Sequence, residues 1–241
     1  MNGLFDSLNN MNDKMMGLVN GVYIGIVTNN KDPDKTGRIK VKIPVLDPDK
    51  ETDWVRVAYL GAGPGRGFMV VPEVADEVIL AFQMGDIREP IVIGSLWSTK
   101  HKPPAGMDDK NDIRKITSRA GHEIILDDKN GDGKVTIKTK EGYKLDIQEK
   151  TETIKLQDKS GQHLLTIKGG AGGMVELKSG GTKIMINNKG DAVIESAKSV
   201  KLKSTQVTIE AAANLDLKAG AMLNIKSDGM LTLKGSMVKI N

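Results

Sequence analysis

The chain has 241 residues, enough to bury a core, with 35 Lys and Arg against 31 Asp and Glu, a net charge of about +4. The two signs are interspersed along the length, which describes a solvated surface rather than a nucleic-acid-binding face. Cysteine is absent and aromatics make up only 3%, so disulfides and thiol nucleophiles are excluded, and no apolar run approaches membrane-spanning length.

Residues 1–20 place Leu4, Phe5, Leu8, Met11, Met15, Leu18 and Val19 at helical spacing. The pattern predicts a short amphipathic helix, weakened by Gly3 and Gly17, whose apolar stripe docks on a partner or on its own domain. From Gly21 the period changes to two. Six strands are expected at Tyr23 to Val27, Arg38 to Ile43, Trp54 to Tyr59, Gly67 to Val71, Glu77 to Phe82 and Pro90 to Gly94. Tight turns such as the stretch 30–37, Asn-Lys-Asp-Pro-Asp-Lys-Thr-Gly, separate them. Short strands at this density predict a small closed barrel over 21–97, with Trp54, Tyr59, Phe68 and Phe82 as its expected core. In the second strand Lys40 and Lys42 alternate with Ile39, Val41 and Ile43, one wet face and one buried, which disfavours nucleic-acid binding on that surface.

Residues 98–112 are polar and turn-rich, with Pro103 and Pro104 enforcing an extended connection, and form the expected linker. Beyond it, triplets of two apolar residues flanking a third recur: 124–126, 135–137, 145–147, 154–156, 165–167, 175–177 and 184–186. From Val135 they begin nine to eleven residues apart. In the tail the period tightens to seven or eight, at 200–202, 207–209, 215–217, 223–225, 231–233 and 238–240. Each triplet reads as a brief strand with one apolar face, in a rod that must close on itself or on other chains. No aromatic residue occurs after Tyr143, so a conventional core is not expected there. Three copies sharing a narrow axial core of Val, Ile, Leu and Met are the favoured closure over 113–241, and a single-chain solenoid is the alternative.

Candidate chemistry does not converge. Asp128 to Gly133 has oxygen ligands at the first, third and fifth places of a calcium loop, but Thr139 stands where a bidentate Glu is required, so a hairpin turn is expected. His101, His122 and His163 are scattered without metal-ligand spacing and are expected on the surface. The stretch Gly61 to Gly67 lacks the Lys and Ser or Thr of a phosphate loop and is expected to be a flexible connection. Asp76, Glu77, Asp86, Arg88 and Glu89 read as turn and surface charge. No catalytic, cofactor-binding or metal-binding residue is assigned, and the chain is not expected to be an enzyme.

One set of residues carries a family resemblance. Thr36-Gly37-Arg38-Ile39-Lys40-Val41, Trp54 to Ala58, Gly63-Pro64-Gly65-Arg66-Gly67-Phe68, Val71 to Val78, Phe82, Gly85-Asp86, Pro90 and Ile93 to Trp97 occur in the order seen in central spike proteins of contractile injection machines. The set resembles phage baseplate assembly protein V and the valine-glycine repeat (VgrG) spikes of type VI secretion. His101 to Pro104 and Arg119 to Ile124 resemble that family's passage into its needle.

The resemblance implies an all-β chain: an oligonucleotide/oligosaccharide-binding (OB) barrel followed by an intertwined trimeric β-helix, preceded by the short N-terminal helix. It implies a homotrimeric spike at the distal end of the inner tube of a phage tail-like particle, made in the cytoplasm and carried on an assembled virion or extracellular particle. It would pierce the target envelope with only transient membrane contact. Inner tube and baseplate proteins, a hub above and a PAAR-like tip or effector below are the implied partners, with no cofactor and no nucleic acid. The sequence has no hub segment before the barrel and no lysozyme insertion, so the resemblance implies a separate hub polypeptide and favours a phage-like or extracellular particle over a type VI apparatus. A trimeric β-rod fibre or binding module contacting a cell-surface glycan is the alternative, although such a fibre is expected to carry an aromatic-bearing head.

Overall fold

The computed structural model describes residues 18–106 and 109–240, and is all-β apart from one 3₁₀ turn at Gln83–Gly85. The helix expected over residues 1–20 lies outside the described residues except for 18–20, which are irregular.

The first eight strands are β1 (Val22–Asn29), β2 (Lys40–Ile43), β3 (Asp47–Glu51), β4 (Arg56–Val57), β5 (Leu60–Gly63), β6 (Arg66–Phe68), β7 (Glu77–Phe82) and β8 (Pro90–Leu96). Six form one sheet in the order β3-β2-β1-β7-β8-β4, antiparallel except where β4 runs parallel to β8. Ile39 and Val55 then exchange backbone hydrogen bonds of 3.0 and 2.8 Å, joining the two sides of the sheet into a barrel. Closure hides the edges that a short sheet otherwise exposes. Gly25 on β1 belongs to this closure, since a Cβ there would lie 2.6 Å from Leu80 Cδ1.

The barrel core is Val27, Ile39, Val41, Ile43, Val55, Val78, Leu80, Phe82 and Val92. Of the four aromatics expected there, only Phe82 is part of it. Trp54 and Tyr59 are half-buried, and Phe68 is 49% exposed on β6. The aliphatic β-branched side chains fill so narrow an interior, and the rings lie at its margins. Tyr23 meets Phe82 edge to face at 5.4 Å, Lys40 Nζ stands over Trp54 at 5.5 Å, and Tyr59 donates its hydroxyl to the Gly37 carbonyl at 2.7 Å.

Two strands of the barrel region, β3 and β5, were not expected. The sequence of β3, Asp-Pro-Asp-Lys-Glu, has no apolar pattern, and this edge strand is held by register with β2 at Lys42–Glu51 and Ile43–Asp47. The Gly61 to Gly67 stretch, expected as a flexible connection, makes a two-stranded ribbon of β5 and β6 with Gly65 at φ 64 in its turn.

The next nine strands are β9 (Ile113–Thr117), β10 (Glu123–Asp127), β11 (Lys134–Lys138), β12 (Lys144–Gln148), β13 (Thr153–Gln157), β14 (His163–Lys168), β15 (Met174–Ser179), β16 (Thr182–Asn187) and β17 (Ala192–Ser196). They form a single antiparallel sheet in strict chain order, each strand pairing with the next. Seven triplets fall on β10 to β16 as expected. β9 and β17, whose apolar residues do not fit the triplet, extend the sheet at both ends. Almost every hairpin is closed by a glycine at positive φ, Gly131 (φ 70) and Gly142 (φ 99) among them; the exception is the β12–β13 turn, where Glu152 takes φ 48. An ion pair of 3.0 Å between Arg119 and Glu73 ties the first of these hairpins to the barrel.

Candidate functional site

The register of the nine-stranded sheet stacks the triplets into two straight columns on one face. Ile116, Ile124, Ile137, Leu145, Leu156, Leu165, Leu177, Ile184 and Ile194 lie opposite one another in succession, and Leu126, Val135, Ile147, Ile154, Ile167, Val175 and Ile186 do the same beside them. A strand with period two sends both apolar members of a triplet to the same side. All of these except Leu145 and Leu165 are exposed, from 36% at Val135 to 59% at Ile194. An uninterrupted apolar face of this length is larger than the surface of a solitary soluble domain ordinarily carries.

The opposite face is the better covered one, because its long polar side chains lie across one another. Glu123 accepts from Lys115 at 2.6 Å and from Lys138 at 3.0 Å, and these two ammonium groups hold its carboxyl below the usual Glu range. Asp146 bridges Lys144 at 2.5 Å and the Thr136 hydroxyl at 2.6 Å, and Lys183 pairs with Glu195 at 3.0 Å. Thr166, in the middle of this face, is the one buried polar residue among those described. The sheet therefore presents charge to water on one side and bare Ile, Leu and Val on the other.

Residues 198–240 carry the six tail triplets but join no sheet of their own chain. Each is exposed, none is in a strand, and no backbone–backbone hydrogen bond joins residues 198–240 to the described chain. The expected strands thus lack partners here. Past Gly190 no described residue has positive φ, so the tail has no tight turn on which to fold back into a hairpin as the preceding repeats do. A regular apolar period without a backbone ladder is a strand sequence left unpaired among the described residues.

The other candidates separate. Asp127 to Lys134 is the β10–β11 hairpin, in which Asp132 N–H donates to the Lys129 carbonyl at 3.0 Å. His122 Nδ1 accepts from Lys140 N–H at 3.3 Å, His163 Nδ1 lies 2.7 Å from Ser179 Oγ, and His101 sits in the 98–101 turn, bonded through its backbone to Ser98. Asp86 takes both arms of Arg88, which lower its pKa to about 2, and the Asp76 carboxylate accepts from Glu73 N–H. Among the described residues no three His, Cys, Asp or Glu side chains are grouped to hold a metal ion, and no helix is long and apolar enough to cross a membrane. A cleft of about 600 Å³ beside the β5–β6 ribbon is lined by Lys35, Tyr59, Arg66 and Phe68, without a paired acid and base.

One surface feature escaped the sequence reading. Much of the outward face of β1, β7 and β8 is also apolar: Ile24 lies opposite Ile79, Val22 opposite Ala81 and Ala81 opposite Ile91, with the bulged Ile93 beside them, while Glu77 stands opposite Ile26 at its edge. Its signal was present in the near-continuous apolar runs Val22 to Val27 and Val78 to Phe82, the composition of strands covered on both faces.

Comparison with known proteins gives the barrel its place. Residues 23–97 match the type VI secretion system/phage-baseplate injector OB domain. The chain is 33% identical over 107 residues to the type VI secretion system spike protein VgrG2a of Pseudomonas aeruginosa, covering 39% of this chain and 12% of that protein. It is 30% identical over 132 residues to the spike protein VgrG3 of Vibrio cholerae, covering 51% of this chain and 13% of that protein. A third similar protein, the actin cross-linking toxin VgrG1 of Vibrio cholerae, is 33% identical over 75 residues, 7% of its length. The matched stretches are thus a small part of each relative. Residues 23–97 thus match an injector-type OB domain, and the resemblance to VgrG-like baseplate spikes expected from the barrel motifs is borne out.

Proposed function

We propose that this chain is the central spike of a contractile injection machine, a homotrimer in which residues 21–97 form an OB collar, 98–112 the linker and 113–241 a needle. The observation that carries the reading is the bare apolar face of the nine-stranded sheet, together with a tail whose strands find no partner within the chain. Three such faces turned to a common axis would bury one another and leave three charged faces outward. Full burial of an Ile, Leu or Val side chain stabilises by about 1.5–3 kcal/mol, so a half-exposed one has roughly 1 kcal/mol still to gain. Two columns of this length then offer on the order of 15 kcal/mol per chain, comparable to or above the ~4–15 kcal/mol that association costs in lost freedom.

The role rests on mechanics. In a rod whose every strand is paired and whose layers share one core, a local opening is opposed by the layers above and below. Load along the axis would therefore fall on many hydrogen bonds together. Its polar exterior, with ion pairs such as Lys138–Glu123 and Lys183–Glu195, suits a device that crosses an envelope without lodging in it. In this reading the barrel meets a hub and baseplate proteins, the far end of the tail receives a tip or effector, and the chain acts by structure rather than catalysis. The particle would be phage tail-like, assembled from subunits made in the cytoplasm.

Light scattering on the full-length protein at several dilutions tests this. A persistent mass near three times 26.0 kDa is expected. A stable monomer with an intact β spectrum would overturn it.

A further inference from the structure

The positive charge of the chain is concentrated in its tail. Residues 198–241 have seven Lys against three Asp or Glu; taken from the 35 and 31 of the whole chain, this leaves 28 of each sign over residues 1–197. Lys201, Lys203, Lys218, Lys226 and Lys234 are all exposed. In the sheet, Lys115, Lys138, Lys144 and Lys183 lie against carboxylates of their own or neighbouring strands, whereas among the described residues none of these five tail lysines is ion-paired. Three of them also hold equivalent places. Lys218, Lys226 and Lys234 each directly follow a triplet, at 215–217, 223–225 and 231–233, and stand eight residues apart. In a strand of period two, the residue after such a triplet is on the side opposite its apolar members.

We propose that this lysine ridge docks the tail on a plane of phosphate groups, the headgroup surface of an anionic lipid bilayer. The assignment of sides rests on the spike reading, in which the triplets face the common axis and each of three copies turns its ridge outward. Ammonium groups on flexible stems are point charges that need no fixed partner geometry, and several together are attracted to a surface of headgroup phosphates. A free phosphate ion is a poorer match, because exposed lysines spread over three repeats do not converge on one point. Nucleic acid is disfavoured as well. No aromatic follows Tyr143 and no Arg follows Arg119, so the tail lacks the side chains that stack on bases and grip phosphates bidentately. With the apolar residues kept for the axis, the tail meets the headgroups by charge without inserting, and salt screens the contact.

Sedimentation of the full-length protein with lipid vesicles tests this. Binding is expected to phosphatidylcholine vesicles containing about a third phosphatidylglycerol and not to phosphatidylcholine alone, and it should weaken at least tenfold from about 0.1 to about 0.5 M salt. Lys218→Ser, Lys226→Ser and Lys234→Ser combined are expected to lower the affinity at least tenfold. Lys155→Ser, Lys159→Ser and Lys189→Ser combined, at exposed places on the shaft, should leave it unchanged. Absence of binding to the anionic vesicles would overturn the proposal, as would equal losses in the two variants. Equal binding to both kinds of vesicle would do the same and point to apolar insertion. Displacement by inorganic phosphate at constant ionic strength would assign the lysines to a free ion, and tighter binding to single-stranded DNA would assign them to nucleic acid; either result overturns the proposal. In case the tail variant assembles differently, the second measurement uses the unmodified protein. Acetylation of Lys218, Lys226 and Lys234 is expected to slow several-fold on anionic vesicles relative to Lys155, and equal rates would count against the ridge. A trimer that binds no vesicle refutes this inference alone, whereas a monomeric mass of the unmodified protein refutes the spike reading itself.

Discussion

Asp32 organises the longest turn of the barrel. Its carboxylate accepts from the backbone N–H groups of Asp34, Thr36 and Arg38, from the Thr36 hydroxyl at 2.7 Å and from the Arg38 guanidinium at 2.7 Å, and its side chain is 3% exposed. The Arg38 side chain above all, then the turn donors, hold its carboxyl far below the ordinary Asp range. Because the folded pKa is depressed, the stabilisation is fully present above the unfolded value of about 4 and is lost as the pH falls below it. Asp32→Ala is therefore expected to lower the melting temperature near neutral pH well beyond Asp34→Ala, whose side chain has only the outer arm of Arg38. The gap between the two variants should narrow in acid, and thermal unfolding at pH 7 and pH 3 reads both effects. Glu152 is a case of opposite sign. Its φ of 48 strains an L-residue by about 1–2 kcal/mol, whereas a glycine there costs about 0.4–1 kcal/mol in unfolded-chain freedom. Glu152→Gly should thus stabilise the shaft by roughly 0.5 kcal/mol, a small rise in melting temperature.

At the scale of elements, the legible part of the sequence is its period. The triplets locate β10 to β16 because two apolar residues flanking a third give a strand one apolar face, and turns between them let each strand pair with the next. β3 was not legible, since Asp-Pro-Asp-Lys-Glu is a strand only by its register with β2. The core aromatics were misplaced because hydrophobic bulk does not say which side of a narrow barrel a ring occupies. Partnering within the chain was not legible either: most of the nine- to eleven-residue repeats turn back on a glycine at positive φ, whereas Gly220, Gly229 and Gly235 between the tail triplets do not take positive φ and no hairpin forms there. Face assignment yields a prediction of its own. Leu156→Asp places a carboxylate in the apolar column, where three copies would bury three unpaired charges, each costing on the order of 3 kcal/mol or more. The mass by light scattering is expected to fall to that of a single chain, while Lys155→Ala, on the other face of the same strand, should leave it unchanged. If both variants kept the mass, the columns would not be the assembly surface.

For the whole molecule, the contrast between the sheet and the tail decides how the shaft is built. In β9 to β17 each strand already has its hydrogen bonds within the chain, so association adds apolar burial to a sheet that exists. Residues 198–240 make no backbone–backbone hydrogen bond, and the same event would have to supply the ladder as well as the core. Hydrogen exchange on the full-length protein separates the two. If the tails of three copies wind together, amides from Val200 to Leu233 should exchange as slowly as those of β10 to β16, although no backbone–backbone bond within the described chain protects them. In Leu156→Asp the tail should then exchange at the rate of an unfolded chain, while the strands of the sheet keep the part of their protection that their own hairpins provide. Fast exchange of the tail in the unmodified protein would refute the intertwined end of the needle and leave three packed sheets as the shaft. Slow exchange in both proteins would mean that the tail folds upon its own chain, as in a single-chain solenoid.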